Sequence, residues 1–148
     1  MKTVLVPVDF STITDRVVSI AADQARWSHA RIVLLHVAAP NPDFVGYEPG
    51  PQTVRNTMAH AFHREHQELH RLEEPLKKEG LQVTALLVQG PTVEKILHEA
   101  EQQKADLIVM GSHGHGALHD LLMGSVTEGV LRKNRCPLLL VPSRIAKP

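Results

Sequence analysis

Five short apolar runs limit what this chain can fold into: Thr3–Val8, Arg31–Val37, Gln82–Val88, Asp106–Met110 and Leu138–Val141. Each is rich in Val, Ile and Leu, and nearly continuous in apolarity. A strand with one wet face alternates apolar and polar residues. A strand covered on both faces does not, and such strands belong to parallel sheets. Longer amphipathic segments separate the runs, at about 12–28, 53–79, 91–103 and 125–134. A parallel pair needs a crossover connection, which a helix supplies. The expected class is therefore α/β: one β-α-β series over residues 1–148, with no internal repeat. A chain of 148 residues is long enough to bury a sizeable core as a single domain.

Local signals mark the helix ends. Ser11 and Thr12 are candidate caps for the first helix. Gly80, just after Lys77 and Lys78, marks the stop of the second, and Pro91 pre-sets the first turn of the third. On a helical wheel Val54, Met58, Phe62, Leu69, Leu72 and Leu76 share an arc of about 80°. Glu65 intrudes into that arc, and Pro75 is expected to kink the helix or end its first part. Residues 38–52 contain Pro40, Pro42, Pro49 and Pro51 and read as a long surface loop, either functional or a tolerated insertion.

Composition narrows the function. Lys plus Arg and Asp plus Glu are both 16, so the chain lacks the cationic surplus of a nucleic-acid binder. Aromatic residues make up only 3%, too few for a base-stacking platform. Cys136 is the single cysteine, which excludes an intramolecular disulfide and a cysteine-based zinc site and fits a reducing compartment. The first apolar stretch is too short for a signal-peptide core, and no run approaches the roughly 20 apolar residues of a membrane span. A cytoplasmic protein is expected. Of the ten histidines, His60, His63, His66 and His70 share an arc beside the apolar face of the second helix. His66 and His70 have metal-binding spacing, but a solvated polar face is the simpler reading. His36, inside the second run, reads as a packed residue.

Two segments point to chemistry. The fourth run leads into Gly111-Ser112-His113-Gly114-His115-Gly116, and Gly124-Ser125-Val126-Thr127-Glu128 opens the last helix. The spacing is G-x2-G-x9-G-S. Glycines admit a ligand close to the backbone, and a helix N-terminus offers unpaired N–H groups and a positive dipole end, a combination that suits phosphate. A purely structural reading stands beside it: Ser125 and Glu128 have capping-box spacing, and the glycines could be turn residues. No GxxxxGK[ST] loop is present, and GxxGxG after the fourth strand is not the dinucleotide fingerprint. The second segment is Val6-Pro7-Val8-Asp9-Phe10-Ser11, which places Asp9 where the first strand ends. A carboxylate there could hold ribose hydroxyls or a metal, or cap a turn.

Taken together, Val-Pro-Val-Asp-Phe-Ser at 6–11, Leu-Leu-His-Val at 34–37, Asp-Leu-Ile-Val-Met-Gly-Ser-His-Gly at 106–114, Gly-Ser-Val-Thr-Glu at 124–128 and Cys-Pro-Leu-Leu-Leu-Val at 136–141 resemble the universal stress protein family over essentially the whole chain. The resemblance implies a doubly wound domain with a five-stranded parallel sheet in the order 3-2-1-4-5 and helices on both faces. It implies a homodimer through the last strand, Leu138–Val141. The G-x2-G-x9-G-S spacing resembles the members that bind ATP, with ADP and AMP as variants. On that resemblance Asp9 contacts ribose, Pro7 and Val8 line the base pocket, and the backbone of Val37 reads the adenine edge. Met110 and Gly111 lie along adenine and ribose, while His113 orients the loop. Gly114, Gly124 and Ser125, with the N–H groups of Val126 and Thr127, hold the phosphates, and Mg²⁺ or Mn²⁺ bridges phosphate oxygens. His115 stands where many members carry a basic residue, which implies modest or pH-dependent affinity. The expected function is an ATP-binding regulatory or stress-response module, with neither nucleic acid nor membrane as partner. No residue is assigned a catalytic role. The alternatives are a stress-induced interaction dimer without nucleotide and a slow ATPase.

Overall fold

The computed structural model describes residues 1–38, 52–113 and 123–143, with the backbone alone at 52–56 and 58. Strands β1 (Thr3–Pro7), β2 (Arg31–Ala38), β3 (Val83–Gln89), β4 (Leu107–Gly111) and β5 (Leu138–Val141) alternate with helices α1 (Thr14–Ser28), α2 (Gln52–Lys78), α3 (Thr92–Gln102) and α4 (Ser125–Lys133). All four strand pairs are parallel, and the order is β3-β2-β1-β4-β5. The expected architecture is what is found, with strand ends displaced by no more than a residue. The predicted loop 38–52 lies outside the described residues except at its ends, where Ala38 closes β2 and Gln52 opens α2.

Burial explains why the runs do not alternate. Val4, Val6, Ile32 and Leu34 pack under α1 and α2 with Val17, Ala21, Leu69 and Leu72. Their neighbours Leu5, Val33 and Leu35 pack on the other face, against Ile96 and Ala100 of α3 and Val130 of α4. Both faces of the sheet are therefore dry, as parallel strands require.

Several local expectations need correction. The first helix takes Ile13 as N-cap, with no side-chain hydrogen bond, so neither Ser11 nor Thr12 caps it. Ser11 instead lends its carbonyl to the Thr14 N–H, and its hydroxyl is buried without a partner among the described residues. Pro91 sits at the N-cap of α3 and not inside its first turn. Pro75 does not end α2, which runs on to Lys78. Its ring takes away the bond to the Arg71 carbonyl where both residues are exposed, so the loss falls on the solvent side of the helix. Phe62, assigned to the apolar arc, is 46% exposed, whereas Leu69, Leu72 and Leu76 are buried. A 27-residue helix is about 40 Å long and an eight-residue strand about 27 Å, so α2 is longer than the strand it packs on and part of its apolar face is left without sheet to cover it.

The end of α2 is as the sequence suggested. Gly80 has φ +86°, the Leu81 N–H bonds to the Leu76 carbonyl, and the Gly80 N–H bonds to that of Lys77. This paired pattern needs a left-handed residue, which glycine adopts without strain.

Asp106, expected in the fourth strand, precedes it and fastens the start of β1. Its Oδ2 accepts the backbone N–H groups of Lys2 at 2.7 Å and Thr3 at 2.9 Å. These two bonds, helped by the nearby N-terminal and Lys2 charges, hold its carboxyl below the ordinary value of 3.8. A carboxyl lowered in the fold contributes stability above its unfolded value, and loses it as pH falls through the folded one. Asp106→Asn is therefore expected to be less stable than the parent at neutral pH. The gap should close as the solution is acidified below about pH 4, and denaturant midpoints of both proteins against pH measure it.

Candidate functional site

The parallel sheet has its switch point where β1 lies between β2 and β4, and side chains beyond the strand ends there can surround a ligand. A cavity of about 290 Å³ occupies that place, near the lower end of small-molecule sites. Pro7, Val8 and Asp9 form one wall, Leu35, His36 and Val37 a second, and Met110, Gly111 and His113 a third. Gly124, Ser125, Val126 and Thr127 close the end. Every expected site residue lines this one cavity except Gly114, which lies outside the described residues, as do His115, Gly116 and His119.

Two hydrogen bonds tie the start of α4 to the end of β4, and a third ties that end to β5. Gly124 N–H donates to the Ser112 carbonyl at 3.0 Å, and Thr127 Oγ1 donates to the Gly111 carbonyl at 2.9 Å. Ser112 N–H donates to the Val141 carbonyl at 2.9 Å, extending the link to β5. Gly111 has little room for anything larger: a Cβ there would lie 3.0 Å from the His113 carbonyl oxygen and 3.3 Å from Ile13 Cγ2.

The capping box is not formed. The N-cap of α4 is Gly124, which has no side chain to offer, and Glu128 Oε1 accepts from Arg132 at 2.7 Å instead. The cavity also meets the first turns of α1 at Thr14 and α3 at Thr92. Neither helix has a side-chain cap. Three helix N-termini without side-chain caps thus converge on one cleft, and each carries N–H groups with no intrahelical acceptor. Two buried polar atoms on the walls, Thr14 Oγ1 and His113 Nε2, have no hydrogen-bond partner among the described residues. His113 Nδ1 is engaged, 2.9 Å from Ser112 Oγ. Asp9 closes a turn: its Oδ1 accepts the Ser11 N–H at 3.0 Å.

Sequence reasoning missed Ile13, Thr14, Val17, Leu35, His36, Thr92 and Ile96 as lining residues. His36 is buried as expected, yet it also reaches the cleft. Thr92 and Thr14 carry a usable signal, since every helix of this topology begins on the ligand side of the sheet. The apolar lining positions carry none that separates them from core.

The histidine face of α2 is elsewhere. His66 and His70 meet edge to face with centroids 4.6 Å apart, and His70 Nδ1 lies 3.1 Å from Oε2 of the buried Glu73. Lys77 Nζ is 2.8 Å from the other oxygen of Glu73. Among the described residues no three His, Cys, Asp or Glu side chains are placed to hold a metal ion, and no helix is long and apolar enough to cross a membrane. Cys136 sits at the opposite end of the sheet, where burial, with the Asp106 charge second, pushes its thiol up.

Comparisons with known proteins agree with this picture. Residues 1–142 match the model of the universal stress protein family. A universal stress protein of Thermus aquaticus, encoded in the QAH/OAS sulfhydrylase 3′ region, is 33% identical over 95% of this chain and 98% of its own length. The structure of protein MJ0577 of Methanocaldococcus jannaschii superposes with a TM-score of 0.84, at 27% identity over 98% of both chains. A universal stress protein in complex with cAMP superposes with a TM-score of 0.69, at 25% identity over 97% of this chain and 98% of that one.

Proposed function

This chain belongs to the universal stress protein family of stress-response proteins, and from that premise we propose that its cleft binds ATP as a regulatory module. The observation that carries the reading is the convergence of three helix N-termini without side-chain caps on a cavity with two polar atoms that find no partner among the described residues. Such a place favours an anion, and partnerless buried donors and acceptors are stabilised when a ligand satisfies them. The N–H groups of Ser125, Val126 and Thr127 take the phosphates, Asp9 the ribose, and Pro7, Val8, Val37 and Met110 the base. Gly111 lines the same wall beside the adenosine, where a Cβ would meet the His113 carbonyl and Ile13. Mg²⁺ or Mn²⁺ arrives with the nucleotide and neutralises its phosphates, needing few protein ligands. ADP and AMP share the adenosine contacts, and the relative bound to cAMP supports the adenine-nucleotide class.

No lysine or arginine lines the cleft among the described residues, so the reading is of binding and switching, not of turnover. The same reading includes a homodimer through β5, the terminal strand of the sheet, whose apolar run would otherwise leave an open edge. It includes a cytoplasmic setting, in keeping with a single cysteine.

Calorimetric titration with Mg-ATP, after assay for co-purified nucleotide, tests the proposal. Saturation near one ATP per chain is expected, with cAMP, ADP and AMP as competitors. No heat of binding from protein free of nucleotide would overturn it and leave the interaction dimer as the better account.

A further inference from the structure

His36 is a buried polar residue within an apolar strand, and its ring is held on three sides. Nδ1 lies 2.8 Å from the Val8 carbonyl oxygen, which can only accept, so Nδ1 carries a proton. Nε2 lies 3.6 Å from Oε1 of Glu65, the carboxylate that interrupts the apolar arc of α2. The third side is the Phe10 ring, with centroids 4.3 Å apart and planes tilted by 31°, so the two rings pack on each other. Phe10 itself has φ 58°, a left-handed backbone uncommon for a bulky residue and one that surrounding contacts must hold.

One imidazole thus grips the residues on either side of Asp9. We propose that His36 is a positioning residue for the nucleotide: bonded to the Val8 carbonyl, stacked on Phe10 and backed by Glu65, its ring clamps the Val8–Phe10 corner and fixes Asp9 on the cleft wall. The inference rests on the nucleotide reading of that cleft. Loss of the ring removes the bond to the Val8 carbonyl and the stacking on Phe10, so the corner loosens and affinity falls. Among the described residues, Glu65 from α2 faces the ring directly, and Asp9 and His113 share the cavity with it. The contributions of α1 to that cavity, Ile13, Thr14 and Val17, are uncharged, as is Leu87, the register partner on β3.

The test compares His36→Asn, which retains an amide donor where Nδ1 stands, with His36→Leu, which offers the Val8 carbonyl no donor. Mg-ATP affinity is expected to fall by about tenfold in the leucine variant, the scale of one lost buried hydrogen bond, and to recover in part in the asparagine variant. Phe10→Ala, which removes the stacked ring at a half-buried position, should weaken binding too and serves if the leucine variant does not fold. A second readout needs no nucleotide: in the free protein, the NMR amide signals of Asp9 should move in His36→Leu and return toward their parental positions in His36→Asn. Parental affinity in a folded His36→Leu, or an Asp9 amide that stays fixed, overturns the proposal. An Asp9 amide that moves in a protein that binds no Mg-ATP upholds the clamp and removes the nucleotide reading instead.

Discussion

Gly124→Val is expected to abolish Mg-ATP binding while the chain stays folded. Gly124 has φ −61° and ψ 147°, extended backbone that valine adopts readily, so no glycine-only conformation is lost. Its N–H bond to Ser112 and its carbonyl bond from the Glu128 N–H involve backbone alone and survive the change. The stability cost should be about 1 kcal/mol, the scale of replacing a favourable N-cap residue by an aliphatic one. Binding responds differently, because Gly124 lines the cleft beside the N–H groups assigned to the phosphates. A branched side chain there occupies space that a polyphosphate needs. A loss of at least about 100-fold, near 2.7 kcal/mol, is expected by calorimetry. A folded variant with parental affinity would remove the start of α4 from the phosphate site.

Leu140→Pro is expected to convert the homodimer proposed above to a monomer. The Ile108 N–H bonds to the Pro137 carbonyl, and the Ser112 N–H to that of Val141. Strand backbone alternates, so residues 137, 139 and 141 turn their polar groups toward β4, while those of Leu138 and Leu140 face away from it. Proline at 140 deletes an outward donor and spares the ladder to β4. Part of the packing of Leu140 beside Ile108, Met110 and Val130 is lost, at a cost of about 1–3 kcal/mol that a typical domain survives. Sedimentation should give twice the chain mass for the parent and the single chain mass for the variant. A folded variant that remains dimeric would place the interface on another surface.

Much of the fold was legible because hydrophobic continuity and connection length are local properties of a sequence. The runs that became β1 to β5 announced strands covered on both faces, and Gly80 announced where α2 stops. Errors came where a distant surface decided. Phe62 obeys the apolar period of α2 yet is exposed, because the period says which face of the helix a residue lies on and not whether another element covers it. Pro75 breaks a local rule at a solvent-facing position where the rule costs little. Ser125 and Glu128 have capping-box spacing, yet Gly124 takes the cap because the Ser112 carbonyl holds its N–H.

The site divides along the same line. The glycine spacing and Asp9 were visible because backbone conformation and a polar residue at a strand end leave a mark in the sequence. Thr14, Thr92 and His36 left a weaker one, since each is also an ordinary helix-start or core residue. Glu65 had no explanation until the fold set α2 against the end of β2 and brought its carboxylate to His36. The sequence by itself determined the class of fold, the helix and strand order and the phosphate-suited segment, all of which follow from neighbouring residues. Only the tertiary structure decided which ends of the elements meet. That depends on the strand order, which sets β1 between β2 and β4 and so gathers residues from 7 to 127 around one cavity.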